Sequence, residues 1–134
     1  EMTTTRQKLF HIGARKYGIT LLCEEIVSYS DITFVLLSVR NRSSVSYSVA
    51  DATFVMESRK KGKRAVSFEK GIQPKNRHGS LSAAPGETVR IAYSFDKLTL
   101  ASDQVLKVYL YEEGGQRNLD LTLSAKDINH AASR

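Results

Sequence analysis

Two pairs of glutamates are the first residues that could do chemistry, because two carboxyl groups held together can serve as general acid and general base. They are Glu24-Glu25 and Glu112-Glu113. Neighbouring residues of a strand point to opposite faces of a sheet, so neither pair can act together unless a turn intervenes. The second pair adjoins glycines that predict a hairpin turn, where we expect it to be solvated. We therefore predict no acid–base catalysis from either pair.

The histidines and the cysteine predict no catalytic or metal site. His11, His78 and His130 are scattered between the N-terminal segment, a loop and the C-terminal tail. Cys23 is the only cysteine, which excludes an intrachain disulfide and a multi-cysteine zinc site. Its apolar surroundings predict a small core residue rather than a reactive thiol. With no phosphate loop or nucleophile elbow in the sequence either, we predict a protein that is not an enzyme and that uses no cofactor.

A basic cluster is the feature of the sequence that predicts binding. It comprises five cations within six positions, namely Arg59, Lys60, Lys61, Lys63 and Arg64. The chain carries a formal net charge of +6, and most of the asymmetry lies in this segment. The cluster holds no aromatic side chain for base stacking, and the nearby Phe54 and Phe68 are predicted to face the core. A solvated hairpin tip and a contact with an acidic protein surface are both favoured over nucleic acid.

The elements that would position these residues are short strands. Residues 88–95 alternate apolar with polar or small side chains, which is typical of a half-buried strand. Two later segments alternate in the same way around a Gly-Gly pair and predict a hairpin. In two early segments, apolar residues occupy both the odd and the even positions. This pattern is typical of central strands, which are covered on both faces. The predicted strands are residues 19–27, 32–39, 52–57, 65–68, 88–95, 106–111 and 119–123.

About seven short strands in 134 residues, with turn residues between them, predict an all-β fold, an immunoglobulin-like antiparallel β-sandwich. We expect the sandwich over residues 17–124, after an N-terminal extension or linker (1–16) and before a C-terminal tail (125–134). Residues 70–84 are predicted to be a surface loop. Ser124, with Asp127 three residues later, predicts a short C-terminal helix. Eight residues are predicted to share one core: Val89, Ile91, Tyr93, Leu106, Val108, Leu110, Leu119 and Leu121.

Four segments of the sequence form an ordered set. They read YGITLLCEEI at residues 17–26, SVRNRS at 38–43, IQP at 72–74 and EGGQR at 113–117. In order and spacing, the set resembles the C-terminal domain of the TraN proteins of conjugative transposons from gut anaerobes. The resemblance extends from about His11 to Ile128.

This resemblance implies a structural component of a DNA-transfer apparatus similar to a type IV secretion system. It implies that the domain binds other proteins of that apparatus, a small lipoprotein and a channel-forming subunit, and meets the membrane only through them. It also implies an upstream signal sequence and a periplasmic place at the outer membrane. The family supplies no catalytic or binding residues to transfer to this chain.

A second class of function stays open, which is a cell-surface adhesion or carbohydrate-binding module. Its only support is Tyr109 and Tyr111, which lie on one face of one predicted strand. Exposed aromatic side chains are a usual feature of sugar sites. The alternative for these tyrosines is packing on neighbouring strands, which we favour.

Overall fold

The computed structural model describes residues 4–8, 13–59 and 66–132, with side chains described over residues 13–58 and 68–129. The elements in these residues are β1 (Thr4–Lys8), β2 (Gly13–Lys16), β3 (Ile19–Tyr29), β4 (Ile32–Asn41), β5 (Tyr47–Arg59), β6 (Val66–Ile72), β7 (Asn76–Gly79), β8 (Ser82–Ala83), β9 (Thr88–Asp96), β10 (Gln104–Glu112), β11 (Leu119–Ser124) and α1 (Ala125–Ala132).

The strands form two antiparallel sheets, so the predicted all-β sandwich is confirmed. The six-stranded sheet has the order β1-β3-β4-β9-β7, and β2 also pairs with β3. The five-stranded sheet has the order β11-β10-β5-β6, and β8 also pairs with β5. The predicted hairpins β5–β6 and β10–β11 are confirmed, and β3 and β4 also pair as neighbours.

The core lies between the sheets, and all eight residues predicted for it are buried. The ring of Phe54, from the five-stranded sheet, meets Tyr93 and Phe95 of the other sheet edge to face. The ring centroids lie 5.0 and 4.8 Å apart. Cys23 is fully buried in the same core, and burial raises the pKa of its thiol to about 12. The thiol is therefore protonated at neutral pH, which agrees with a packing role.

The strand count and the bounds of the sandwich differ from the prediction. The structure has eleven strands in the described residues rather than about seven. Two of them, β1 and β2, lie within residues 1–16, which were predicted as an extension, and both pair with β3. Two more, β7 and β8, lie within residues 70–84, which were predicted as a loop. These four are short edge strands with few apolar residues, so no alternating pattern marks them.

Gly79 explains how β7 can lie against β9. Its φ is +121°, and a β-carbon at this position would collide with the carbonyl oxygen of Arg90 in β9. Only glycine has both the backbone freedom and the missing side chain that this approach requires. The edge of the six-stranded sheet at β7 thus depends on one glycine.

The two phenylalanines predicted to face the core have different outcomes. Phe54 is buried, as predicted, whereas the prediction for Phe68 is wrong, because its side chain is 49% exposed. Phe68 belongs to β6 and pairs with Ser58 of β5, which is the one strand that β6 pairs with among the described residues. Alternation predicts which side of the sheet a residue faces, but it does not predict how far an edge position such as that of β6 leaves the side chain exposed.

The predicted C-terminal helix is confirmed, together with its cap. The backbone N–H of Asp127 donates to Oγ of Ser124 at 3.1 Å, and the backbone N–H of Ser124 donates to Oδ2 of Asp127 at 3.0 Å. This reciprocal pair satisfies two donors at the start of α1. Ile128 is buried in the core, and the Asn129 side chain exchanges hydrogen bonds with both backbone groups of Leu100. The helix therefore covers one end of the sandwich.

Candidate protein-binding site

A cationic groove lies on the outer face of the six-stranded sheet, where β2, β3, β4 and β9 run side by side. Its volume is about 380 Å³, and we call it the arginine groove after the four side chains that line it, Arg15, Arg40, Arg42 and Arg90. All four are exposed. Three lie on different strands, and Arg42 follows the last residue of β4.

Strand register brings these arginines together. Directly paired residues of an antiparallel sheet share a face, so the groove is built from two adjacent cross-strand rows. The first row reads Arg15, Thr20, Arg40 and Thr88, and the second reads Gly13, Leu22, Ser38 and Arg90. The guanidinium groups are thus interleaved with hydroxyl groups, which are further hydrogen-bond donors.

One carboxylate, that of Glu24, lies among these cations. Nε of Arg90 donates to Oε1 of Glu24 at 3.0 Å, and the Glu24 side chain is only 17% exposed. In the described part of the chain, the side chains of Arg15, Arg40 and Arg42 make no hydrogen bond or ion pair. Guanidinium groups bind carboxylate and phosphate oxygens in a forked geometry. As far as the structure describes the chain, the arginine groove therefore presents three anion-binding groups without a partner.

A bulge in β3 brings Glu24 to the groove. The pairing of β3 with β4 shifts between Cys23 and Glu25, so that one extra residue is accommodated. Residues on both sides of the bulge, Cys23 and Ile26, can then face the core. Glu24 and Glu25 are both half-buried rather than split between core and solvent, which corrects the simple alternation assumed for this pair.

A buried asparagine fixes the chain between Arg40 and Arg42. The side-chain amide of Asn41 donates to the carbonyl oxygens of Val45 and Ala83 at 2.8 and 2.9 Å. Its Oδ1 accepts hydrogen bonds from the backbone N–H and the hydroxyl of Ser43. Asn41 thus has every polar atom satisfied while it is fully buried. In the segment 38–43, Asn41 is therefore structural, whereas the flanking Arg40 and Arg42 are exposed on the surface.

Arg117 joins two of the segments that carried the resemblance. Its guanidinium donates to Glu112 at 2.6 and 3.0 Å and to Oγ of Ser43 at 3.0 Å, and it lies 5.1 Å from the ring centroid of Tyr47. It also donates to the carbonyl oxygen of Ser46 at 2.8 Å. We call these contacts the Arg117 clasp. They tie the β10–β11 turn to the β4–β5 turn.

The clasp corrects the prediction that Glu112 is solvated. Its side chain is 11% exposed and paired with Arg117, whose hydrogen bond lowers the pKa of the Glu112 carboxyl. Glu113 is exposed, as expected of a turn residue. The two neighbouring glutamates therefore have different roles, and sequence alone could not separate them because the partner of Glu112 comes from the far side of the turn.

The basic cluster is not brought to this site by any described contact. Lys60, Lys61, Lys63 and Arg64 lie outside the described residues, and Arg59 ends β5 with its side chain also outside them. The expected contact of the cluster with an acidic protein surface stays a prediction.

The histidines singled out in the sequence do not form a site in the described residues. His78 is exposed on β7, His11 lies outside the described residues, and only the backbone of His130 is described, in α1. Among the described residues, no three side chains of the metal-binding types form a group.

The two tyrosines considered for sugar binding differ in exposure. Tyr109 is half-buried with the Lys107 ammonium 5.8 Å from its ring centroid, and Tyr111 is 39% exposed.

An apolar patch continues the outer face beyond the arginine groove. Its members are Val27, Tyr29, Ile32, Phe34, Leu36 and Ala92. Their register places them on the same face as the groove, since Val27 pairs with Phe34, Tyr29 with Ile32, and Leu36 with Ala92. Tyr29 is 39% exposed and the other five are half-buried. The outer face of a sandwich sheet is usually polar, so this patch is a candidate contact surface.

The fold and the outer face define an antiparallel β-sandwich with a mixed cationic and apolar surface. Residues 2–133 match the model of a domain family of unknown function, DUF4138, and the chain belongs to that family. No curated protein matches the chain. Within the described residues, no helix is long and apolar enough to cross a membrane.

Proposed function

We propose that this domain is an assembly component of a conjugative DNA-transfer apparatus and that it acts by binding other proteins in the cell envelope. The observation that carries the proposal is the outer face of the six-stranded sheet, where three arginines that have no partner among the described residues adjoin the apolar patch. Arginine and aromatic side chains are enriched at protein interfaces, and apolar cores with polar rims are their usual organisation.

The resemblance to TraN proteins supports the choice of apparatus. Two of the segments that carry it, residues 38–43 and 113–117, are joined by the Arg117 clasp. Under this proposal the domain lies in the periplasm at the outer membrane, its partners are a lipoprotein and a channel-forming subunit, and the basic cluster at 59–64 supplies a second contact. It needs no cofactor and binds no specific nucleic acid sequence.

Carbohydrate binding is the second candidate function, and one observation favours it. Tyr111 is exposed on the outer face of the five-stranded sheet, two residues from Tyr109 on the same face. Against it, Tyr109 is half-buried and its hydroxyl donates to Glu57 at 3.5 Å. A glycan array separates the two candidates, because sugar binding that is lost in Tyr111→Ala would favour this one.

Co-purification tests the assembly proposal. The protein that carries this domain, with an affinity tag, is recovered from cells that contain the complete set of transfer genes. We expect mass spectrometry to identify other transfer subunits with it, and to find them depleted when the bait lacks residues 4–132. Equal recovery of transfer subunits with and without the domain, or none with either bait, would contradict the proposal.

A further inference from the structure

We infer that the arginine groove and the apolar patch together bind one extended, acidic segment of a partner protein, with its carboxylates on the arginines and its apolar side chains on the patch. The inference rests on the proposed function and adds the chemistry of the partner. It is carried by the groove, the patch and their shared sheet face.

Glu24 shows that the groove accepts a carboxylate. The Glu24 carboxylate already accepts a hydrogen bond from Arg90, with a distance of 3.0 Å between Nε and Oε1. Arg15, Arg40 and Arg42 surround the same groove and have no such partner within the described residues. Carboxylates from another chain can repeat at these three arginines the contact that Glu24 makes at the fourth. Charge complementarity therefore favours glutamate or aspartate side chains as the ligand.

The apolar patch argues for a polypeptide rather than a nucleic acid. Leu22 lines the groove, and the patch begins in the next row of the sheet with Leu36. A protein segment with acidic and apolar residues can use both surfaces, whereas a nucleic acid could use the patch only by stacking bases on Tyr29 and Phe34, the two aromatic side chains among its six members. The side chains that line the groove include no aromatic ring on which a base could stack. An acidic protein segment is thus the occupant that fits both parts of the face.

The dimensions of the face set the length of the ligand. Arg40 and Phe34 lie on the outer side of β4, and a strand rises about 3.3 Å per residue, so they are roughly 20 Å apart. Across the sheet, Arg15 and Arg40 lie two strands apart, which is roughly 10 Å. An extended segment of about 8 residues therefore covers both parts, with its acidic residues at one end and its apolar residues at the other.

Fluorescence anisotropy with synthetic peptides tests this inference. One labelled peptide of about 10 residues has a glutamate-rich half and a half of valine and phenylalanine, and a second replaces the apolar half with serine. The domain is titrated at about 150 mM salt. We expect both peptides to bind and the acidic–apolar one to bind more tightly. A labelled single-stranded oligonucleotide is expected to bind more weakly than either peptide.

Matched charge variants locate the binding. The groove variant is Arg40→Gln with Arg42→Gln, and the control is Lys97→Gln with Lys126→Gln, which removes the same charge from two exposed lysines outside the groove. We expect the groove variant to bind both peptides about tenfold more weakly and the control to bind like the wild type. Equal affinities of the two variants, or tighter binding of the oligonucleotide than of the peptides, would overturn the inference.

The same variants separate this inference from the proposed function. When the tagged protein is recovered from cells with the transfer genes, the groove variant is expected to retain fewer transfer subunits than the control variant. If both retain them equally, the groove is not the docking site, although the assembly function stands. If even the wild-type bait recovers none, the proposed function fails while the peptide measurement still decides the chemistry of the groove.

Discussion

Replacing Phe54 with alanine is expected to lower the free energy of unfolding by about 3–5 kcal/mol. Phe54 is 1% exposed, and its ring packs edge to face on Tyr93 and Phe95 of the opposite sheet. The substitution removes an aromatic side chain where the two sheets meet and leaves a cavity that rigid neighbours fill only in part. Urea denaturation followed by circular dichroism measures the change.

Phe68→Ala is the matched control for this prediction. The chemical change is the same, but Phe68 is 49% exposed on an edge strand. We expect a loss of less than about 1 kcal/mol, because little apolar area returns to water and no enclosed cavity forms. Similar losses in the two variants would show that the core does not lie between the sheets as described.

The second large effect is expected from Arg117→Ala, with a loss of about 2–3 kcal/mol near neutral pH. The substitution removes the hydrogen bonds to Glu112, Ser43 and Ser46 and leaves the 11% exposed Glu112 side chain without its cation. The matched control is Arg40→Ala, which removes an exposed guanidinium with no side-chain partner in the described chain. We expect its effect to stay within about 0.5 kcal/mol.

The effect of Arg117→Ala is also expected to depend on pH. Hydrogen bonding to Arg117 lowers the pKa of the Glu112 carboxyl below 4.5, its ordinary value. A carboxyl with a lowered pKa stabilises the fold above that ordinary value, and the stabilisation is lost as pH falls through the pKa of the folded state. The stability difference between wild type and Arg117→Ala should therefore be largest near pH 7 and should shrink below pH 4.5. A difference that stays constant over this range would contradict the ion pair.

Alternation of apolar residues predicted the strands that have one buried face. Residues 88–95 and 106–111 lie within β9 and β10. Their alternate apolar residues face the core, because each strand is covered on one side. The short edge strands β1, β2, β7 and β8 have no such pattern. They are held by backbone hydrogen bonds to a neighbouring strand, which need no apolar side chains, and β7 in addition requires the absence of a side chain at Gly79.

The candidate site was harder to predict because its residues come from different strands and lie together only through the pairing register of those strands. Arg15, Arg40 and Arg90 are far apart in sequence and become neighbours only when β2, β3, β4 and β9 pair. One signal was present, since Arg40 and Arg42 flank Asn41 with the two-residue spacing that places side chains on one face of a strand. Apolar residues at odd and even positions of residues 32–39 predict a central strand, and β4 is one. Those at even positions, Ile32, Phe34 and Leu36, also form part of the apolar patch.

The frequency of conjugative transfer tests the central claim most directly. A donor whose transfer genes encode the parent protein without residues 4–132 is compared with the same donor complemented by the intact protein. If the domain is an assembly component of the transfer apparatus, the deletion abolishes transfer, leaves growth unchanged, and is rescued by complementation. Transfer at the wild-type frequency in the deletion strain, with loss of the domain verified, would contradict the account.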